Sequence, residues 1–161
     1  MFQTKNIDDC KADRLAYQEF EAYICRALYE FGIAVQHVGD HLTYIGCDNL
    51  LGLDIVYDLN MKKNGGVYIE THTKPFPEFP FFAGSVLHRN NGAWLYGIGD
   101  YDRFYIFGKR TLSGCIKTLD KYFPDLVCVK RCQTPTSRGI FLTFDQADTM
   151  AEKTFHFDRD E

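Results

Sequence analysis

The chain has 161 residues, of which 45% are hydrophobic and 25% charged, and its formal net charge at pH 7 is −4. This composition is typical of a globular protein and excludes the fibrous and disordered classes. No stretch approaches the roughly 20 apolar residues of a membrane span, and the first residues lack the apolar run of a secretory signal, so we expect a cytoplasmic protein without a membrane partner.

The charge is unevenly distributed along the chain. Residues 1–60 carry a net charge of −6, whereas residues 101–138 carry eight basic and three acidic side chains, a net charge of +5. A basic region can contact a phosphate backbone, although a solvated helix face gives the same pattern. The pattern predicts a nucleic-acid partner, bound through four side chains: Lys109, Arg110, Lys117 and Lys121.

Hydrophobic spacing predicts a helix near the beginning of the chain and strands after it. Apolar residues recur at helical intervals over 13–31, where Asp13 is the candidate N-cap and Gly32 ends the pattern. Runs of β-branched and aromatic residues then predict four strands, at 33–38, 42–45, 53–59 and 67–73.

The last two of these strands are predicted to form a hairpin. Residues 61–66 contain an Asn-Gly pair, which supplies the positive φ that tight hairpin turns require. A five-residue turn would place Asp58 opposite Glu70, whereas a two-residue turn would set Asp54 and Glu70 on opposite faces of the hairpin. The sequence therefore leaves open which aspartate lies beside Glu70.

The second half of the chain alternates further strands and helices. The three prolines within 75–80 exclude a central strand, and the phenylalanines of this region are expected in the core or at a docking edge, with a base-stacking surface as the alternative. The element order predicts a mixed α+β (α/β) domain spanning 1–161, with a central mixed sheet flanked by helices. The remaining predicted elements are a helix over 81–89, strands over 93–98 and 103–107, a helix over 111–123, strands over 126–131 and 140–144, and a last helix capped by Asp145.

One group of side chains in the predicted hairpin has the chemistry of a catalytic site. Glu70, His72 and Lys74 are expected on one strand face, because side chains alternate along a strand. A second carboxylate from the neighbouring strand, Asp54 or Asp58, would complete an oxygen-rich site suited to Mg²⁺. Such a cation can orient an attacking water and offset negative charge in the transition state. We therefore expect these residues to converge in one concave site.

The pattern resembles the PD-(D/E)XK restriction-endonuclease-like superfamily. The resemblance is carried by the first helix and by three segments, Gly52-Leu53-Asp54, Tyr68-Ile69-Glu70-Thr71-His72 and Gly92-Ala93-Trp94. It implies a restriction-endonuclease-like core over about 13–110, with 111–161 as a C-terminal extension. It also implies metal-dependent hydrolysis of phosphodiester bonds in DNA or RNA, as in small bacterial or phage proteins of mobile elements. The resemblance implies Asp54 and Glu70 as ligands of Mg²⁺ or Mn²⁺, and the hairpin register leaves Asp58 as the alternative to Asp54.

The chain departs from this family's motif at one important position, where His72 replaces the motif lysine. A histidine is mostly neutral at pH 7, so the fixed positive charge is missing. His72 can instead bind a softer metal such as Mn²⁺ or act as a general base, and Lys74 can supply the charge. Two functions follow as hypotheses: a nuclease with Asp54, Glu70, His72 and Lys74 as catalytic residues, or a non-catalytic module that binds nucleic acid or protein.

Overall fold

The computed structural model describes residues 7–33, 52–89, 92–122 and 137–157, and it confirms the mixed α+β class. The helices are α1 (Ile7–Glu30), α2 (Met61–Asn64), α3 (Lys109–Tyr122) and α4 (Phe144–Met150), and a 3₁₀ turn spans Val86–His88. The strands are β1 (Leu53–Tyr57), β2 (Gly66–Thr73), β3 (Leu95–Gly99), β4 (Arg103–Gly108), β5 (Ser137–Thr143) and β6 (Lys153–His156). None of the helices in this part of the chain is long and apolar enough to cross a membrane.

The described strands form a four-stranded sheet and a separate two-stranded ribbon. The sheet has the order β1-β3-β4-β6, in which β1 and β3 are parallel and the other neighbours are antiparallel. The ribbon pairs β2 with β5 in antiparallel register. A mixed sheet was expected from the sequence, but the separation of β2 from β1 was not.

The predicted hairpin between β1 and β2 is wrong. β1 pairs with β3 in the sheet, whereas β2 pairs with β5 in the ribbon. The Asn-Gly pair ends the short helix α2 instead of forming a hairpin turn: Gly65 has φ 71° and its N–H bonds to the carbonyl of Met61 at 3.0 Å. A glycine with positive φ serves both structures equally well, so this local signal could not distinguish them.

Both faces of the four-stranded sheet are covered, and β4 shows how its side chains are divided. Phe104 and Ile106 face α1, while Tyr105 and Phe107 face the ribbon and α3, as strand alternation requires. The α1 side is filled by Phe20, Ile24, Leu28, Leu53, Ile55 and Phe155, and the opposite side by Val67, Ile69, Leu112, Ile116, Ile140 and Leu142. The sheet is therefore the middle of three layers.

Several element boundaries differ from the sequence predictions for identifiable reasons. The first helix begins at Ile7, so Asp13 lies inside it and is not its N-cap. The helix predicted over 81–89 is wrong apart from the 3₁₀ turn, because Phe82 is held in an extended bridge to Thr73. The last helix is capped by Thr143 and not by Asp145: the Thr143 hydroxyl accepts the Gln146 N–H in a capping box.

The other long helix and the strands beside it were predicted well. The helix expected over 111–123 spans Lys109–Tyr122, with Leu112 and Ile116 buried as their spacing indicated. The β3 and β4 strands match the predicted pair to within two residues. β6 was not predicted. The strands predicted over 33–38 (apart from Ile33), 42–45 and 126–131 lie outside the described residues.

Candidate functional site

Asp54 is the second residue of β1, and it is fully buried on the ribbon side of the sheet. The Lys109 ammonium, at the first residue of α3, bonds to its Oδ2. The Arg89 guanidinium, just after the 3₁₀ turn, lies 3.8 Å from its Oδ1. Two cations from distant parts of the chain therefore balance the buried carboxylate.

Asp58 follows β1 and holds backbone groups in place. Its Oδ1 accepts the N–H of Asn60 at 3.0 Å, and its Oδ2 accepts the N–H of Tyr68 at 3.1 Å. Burial raises the pKa of the Asp58 carboxyl above its ordinary value, and the two backbone hydrogen bonds oppose this shift. Asp58 thus ties the end of β1 to the beginning of β2.

Glu70 lies on β2 and is half-buried beside a cavity that Asp58 also lines. The Ser137 hydroxyl donates to Oε2 of Glu70 at 2.5 Å, and the Tyr68 hydroxyl lies 3.1 Å from the same Ser137 oxygen. Sequence reasoning missed Ser137, because it lies 67 residues from Glu70 and no motif links the two.

A β-bulge separates Glu70 from His72. In the ribbon Glu70 pairs with Gly139, while His72 pairs with Arg138, so Thr71 is an extra residue. Because opposed residues share a face and adjacent residues of one strand do not, Glu70 and His72 lie on opposite faces. The prediction that Glu70, His72 and Lys74 share one strand face is therefore wrong.

Lys74 is held within the segment that follows β2. Its ammonium donates to the carbonyl of Pro77 and lies 4.5 Å from the centre of the Phe81 ring. The contact with Phe81 is a cation–π interaction, which favours this position of the ammonium. Lys74 thus contacts the aromatic segment next to β2.

His72 belongs to a group of basic side chains at one end of the ribbon, which we call the basic cluster. The rings of His72 and His88 are 6.1 Å apart. Burial lowers the pKa of His88, and the charges of His72, Lys117 and Lys109 lower it further. The basic cluster comprises His72, His88, Arg89, Lys109, Lys117 and Arg138.

The four basic residues predicted to contact nucleic acid all lie on α3. Lys109 is buried against Asp54, whereas Arg110, Lys117 and Lys121 are exposed and share one helix face at intervals of seven and four residues. The structure thus connects one of them directly with the predicted carboxylate site. His88, Arg89 and Arg138 were missed because only the fold brings them to α3 or to His72.

An aromatic segment adjoins the basic cluster. Phe76, Phe79 and Phe82 are 58%, 49% and 53% exposed, so these three rings are not core, and the docking edge and the base-stacking surface stay as predictions. The Arg138 guanidinium lies 4.3 Å from the centre of the Phe81 ring. We call residues 76–82 the aromatic segment.

Two of the three predicted metal ligands have other partners in the arrangement observed. Asp54 is paired with Lys109 and Arg89, and both oxygens of Asp58 accept backbone N–H groups. Within the described residues there is no group of three or more His, Cys, Asp or Glu side chains that could hold a metal ion. Comparison of the chain with protein-family models, curated proteins and solved structures gave no match.

Acidification is expected to destabilise the protein through His88. Its pKa in the folded state lies below the ordinary value of 6.5, so the unfolded chain binds the proton more readily. The free energy of unfolding should therefore fall as the pH is lowered from about 6.5 through the folded-state pKa. This pH dependence is tested by measuring the urea midpoints of the wild type and His88→Gln at about pH 7.5 and about pH 5.5. His156→Gln, at an exposed histidine, is the control. Equal pH dependence of wild type and His88→Gln would contradict it.

Proposed function

We propose that this chain binds single-stranded nucleic acid without cleaving it, with phosphates on the basic cluster and unpaired bases on the aromatic segment. The observation that carries the proposal is the position of Arg138. It lies opposite His72 in the ribbon, and its guanidinium stacks on Phe81. One side chain therefore joins the charged surface to the aromatic one, which is the combination that single-strand binding uses.

The basic cluster offers exposed charge to a phosphate backbone. Lys117, Arg138 and His72 are basic residues, and all three side chains are exposed. Asp54 is buried and already paired with Lys109 and Arg89, so it serves to hold these two cations in place. A polyanion would release its own counterions on binding here, which favours association at low salt.

The aromatic segment explains the expected preference for single strands. The rings of Phe76 and Phe79 lie 5.9 Å apart and are both half-exposed. Stacking on a free base is worth about 1–3 kcal/mol per ring and accepts every base. In a duplex the bases already stack on one another and are not available to these rings. We therefore expect single strands to bind more tightly than duplexes of the same sequence.

Fluorescence anisotropy tests the proposal. The labelled probes are single-stranded DNA, single-stranded RNA and duplex DNA, each about 20 nucleotides long. With about four phosphate contacts, single-strand affinity should fall about 50-fold between about 50 and 200 mM salt. Phe76→Ala with Phe79→Ala should weaken binding by about 10-fold or more, because two stacking rings are lost. Lys117→Ala should reduce the slope of log affinity against log salt concentration by the amount that about one phosphate contact contributes.

Two matched variants control for general loss of surface rings and charge. Tyr29→Ala removes an exposed ring from α1, and Lys153→Ala removes an exposed charge from β6, on the far edge of the sheet. Both should bind like the wild type. Salt-independent binding, equal affinity for duplex, or unchanged binding by the double phenylalanine variant would each overturn the proposal.

Metal-dependent nuclease activity is the second candidate. The observation that favours it is the electrostatic proximity of three carboxylates: Asp54, Asp58 and Glu70 all act on the buried phenol of Tyr96. The carboxylates thus lie around one region of the fold, as the resemblance implies, although each has a partner other than a metal.

A cleavage assay separates the two candidates. The same labelled strands are incubated with Mg²⁺ or Mn²⁺ and analysed for shortened products. We expect no products from the wild type or from His72→Lys. Cleavage that disappears in Glu70→Gln would replace the binding-only proposal with a nuclease, since this substitution removes the charge and nearly preserves the shape.

A further inference from the structure

A cavity of about 250 Å³ lies on the other face of β2 from the basic cluster. Its floor is buried and includes Tyr68, Tyr96 and Asp58, while Tyr17 of α1 stands at its partly exposed rim. Glu70 of β2 also lines the cavity. In all, four tyrosines and two carboxylates line the cavity, and such groups attract a cation into a partly desolvated space.

We propose that this cavity binds the ammonium group of a protonated alkylamine. A cation of this kind gains both from the electron-rich faces of aromatic rings and from hydrogen bonds to oxygen acceptors. The volume is several times the roughly 30 Å³ that one water molecule occupies, so it admits an ammonium group on a short aliphatic arm. The proposal is independent of nucleic-acid binding, because Glu70 and His72 lie on opposite faces of the ribbon.

Tyr96 provides the polar group at the floor of the cavity. Its side chain is only 2% exposed and lines the cavity. Burial raises the pKa of this phenol well above its ordinary value, and the nearby Tyr17, Glu70 and Asp58 raise it further. A buried hydroxyl surrounded by negative groups is suited to accept a hydrogen bond from a cationic N–H.

Glu70 provides the second acceptor. Its Oε2 receives the Ser137 hydroxyl, which fixes the carboxylate and leaves Oε1 to receive an N–H of the ligand. Both oxygens of Asp58 are used by backbone N–H groups, so Asp58 contributes its negative charge without contacting the ligand. This division favours an ammonium group over Mg²⁺, which requires directly bound oxygens at short and nearly octahedral positions.

Isothermal titration of the full chain with n-butylammonium chloride tests the proposal. The matched neutral probe is n-butanol, which has the same number of heavy atoms and no charge. We expect saturable binding of the cation that is at least about tenfold tighter than that of the alcohol. Tetramethylammonium, which lacks an N–H donor, should bind more weakly than n-butylammonium. Spermidine and Nα-acetyl-lysine N-methylamide distinguish a free polyamine from a lysine side chain as the source of the ammonium group.

Three variants assign the binding to this cavity. Glu70→Gln should lower the affinity for n-butylammonium by about tenfold or more, and Tyr96→Phe by severalfold, with little change in folding. Tyr29→Ala, which removes an exposed tyrosine of α1 outside the cavity, should bind the cation like the wild type. The nucleic-acid affinity of Glu70→Gln should also be unchanged, so the two proposals can fail separately.

Three results would contradict the proposal that the cavity binds an ammonium group. Equal binding of n-butanol and n-butylammonium would identify an apolar cavity and overturn the proposal. Unchanged cation binding in both Glu70→Gln and Tyr96→Phe would place the cation elsewhere. Titration with MnCl₂ is the final comparison: Mn²⁺ binding that depends on Glu70 and displaces n-butylammonium would assign the cavity to a divalent metal instead.

Discussion

Asp54→Asn is expected to lower the free energy of unfolding by about 3–5 kcal/mol. The Lys109 side chain is 9% exposed, and its ammonium contacts the fully buried Asp54 carboxylate. Without that carboxylate the ammonium stays buried with no opposite charge, and Arg89 loses the same partner. Urea denaturation followed by circular dichroism measures the loss at neutral pH.

The double variant Asp54→Asn with Lys109→Met is the matched control. It removes the buried ammonium together with its partner, while methionine fills much of the space of the lysine stem. We expect it to recover a large part of the lost stability, because replacing both members of a buried pair costs far less than removing one. If Asp54→Asn instead keeps wild-type stability and abolishes a Mg²⁺-dependent rise in Tm, Asp54 is a metal ligand as the resemblance implies.

Gly139→Ala is expected to destabilise the protein by about 1–3 kcal/mol through the β-bulge of the ribbon. An added Cβ at Gly139 would lie 2.2 Å from the carbonyl oxygen of Ile69 and 2.9 Å from the Cα of Glu70. Both are backbone atoms of β2, so the strands must separate where Glu70 and Ser137 form their hydrogen bond. Urea midpoints measure the stability, and weaker n-butylammonium binding should accompany the loss.

Gly114→Ala makes the same chemical change where the structure has room for it. Gly114 lies inside α3, and an added Cβ there has nothing within 4 Å. Because alanine favours the helix over glycine, we expect this variant to be about 0.5–1 kcal/mol more stable than the wild type. Destabilisation of similar size in both variants would contradict the described register of β2 and β5.

The sequence predicted the elements whose signal is local. α1 and α3 repeat their buried residues every three or four positions, and that period reflects one buried helix face whatever the partner is. Strands β3 and β4 were predicted for a related reason, since short β-branched and aromatic runs flank a tight turn. The order of the predicted elements along the chain likewise sufficed for the mixed fold class.

The candidate site was predicted only in part. Asp54, Asp58 and Glu70 do lie in one region, around Tyr96. Their partners were not predicted, because Lys109 lies 55 residues from Asp54 and Ser137 lies 67 residues from Glu70. Strand parity also placed His72 beside Glu70, which holds for a regular strand and fails when one extra residue is inserted.

The sequence by itself thus predicted the helices α1, α3 and α4, five of the six described strands, the fold class and the side chains that could take part in chemistry. Tertiary structure alone decided that β1 pairs with β3 and β2 with β5. Hydrogen bonds between strands are formed by identical backbone groups, so they do not depend on which side chains the strands bear. It also decided the bulge at Thr71, whose hydroxyl bonds to the carbonyl of Arg138 on the partner strand. That single insertion turns Glu70 towards a tyrosine-lined cavity and His72 towards a cluster of cations, since alternation along a strand converts a shift of one residue into a change of face.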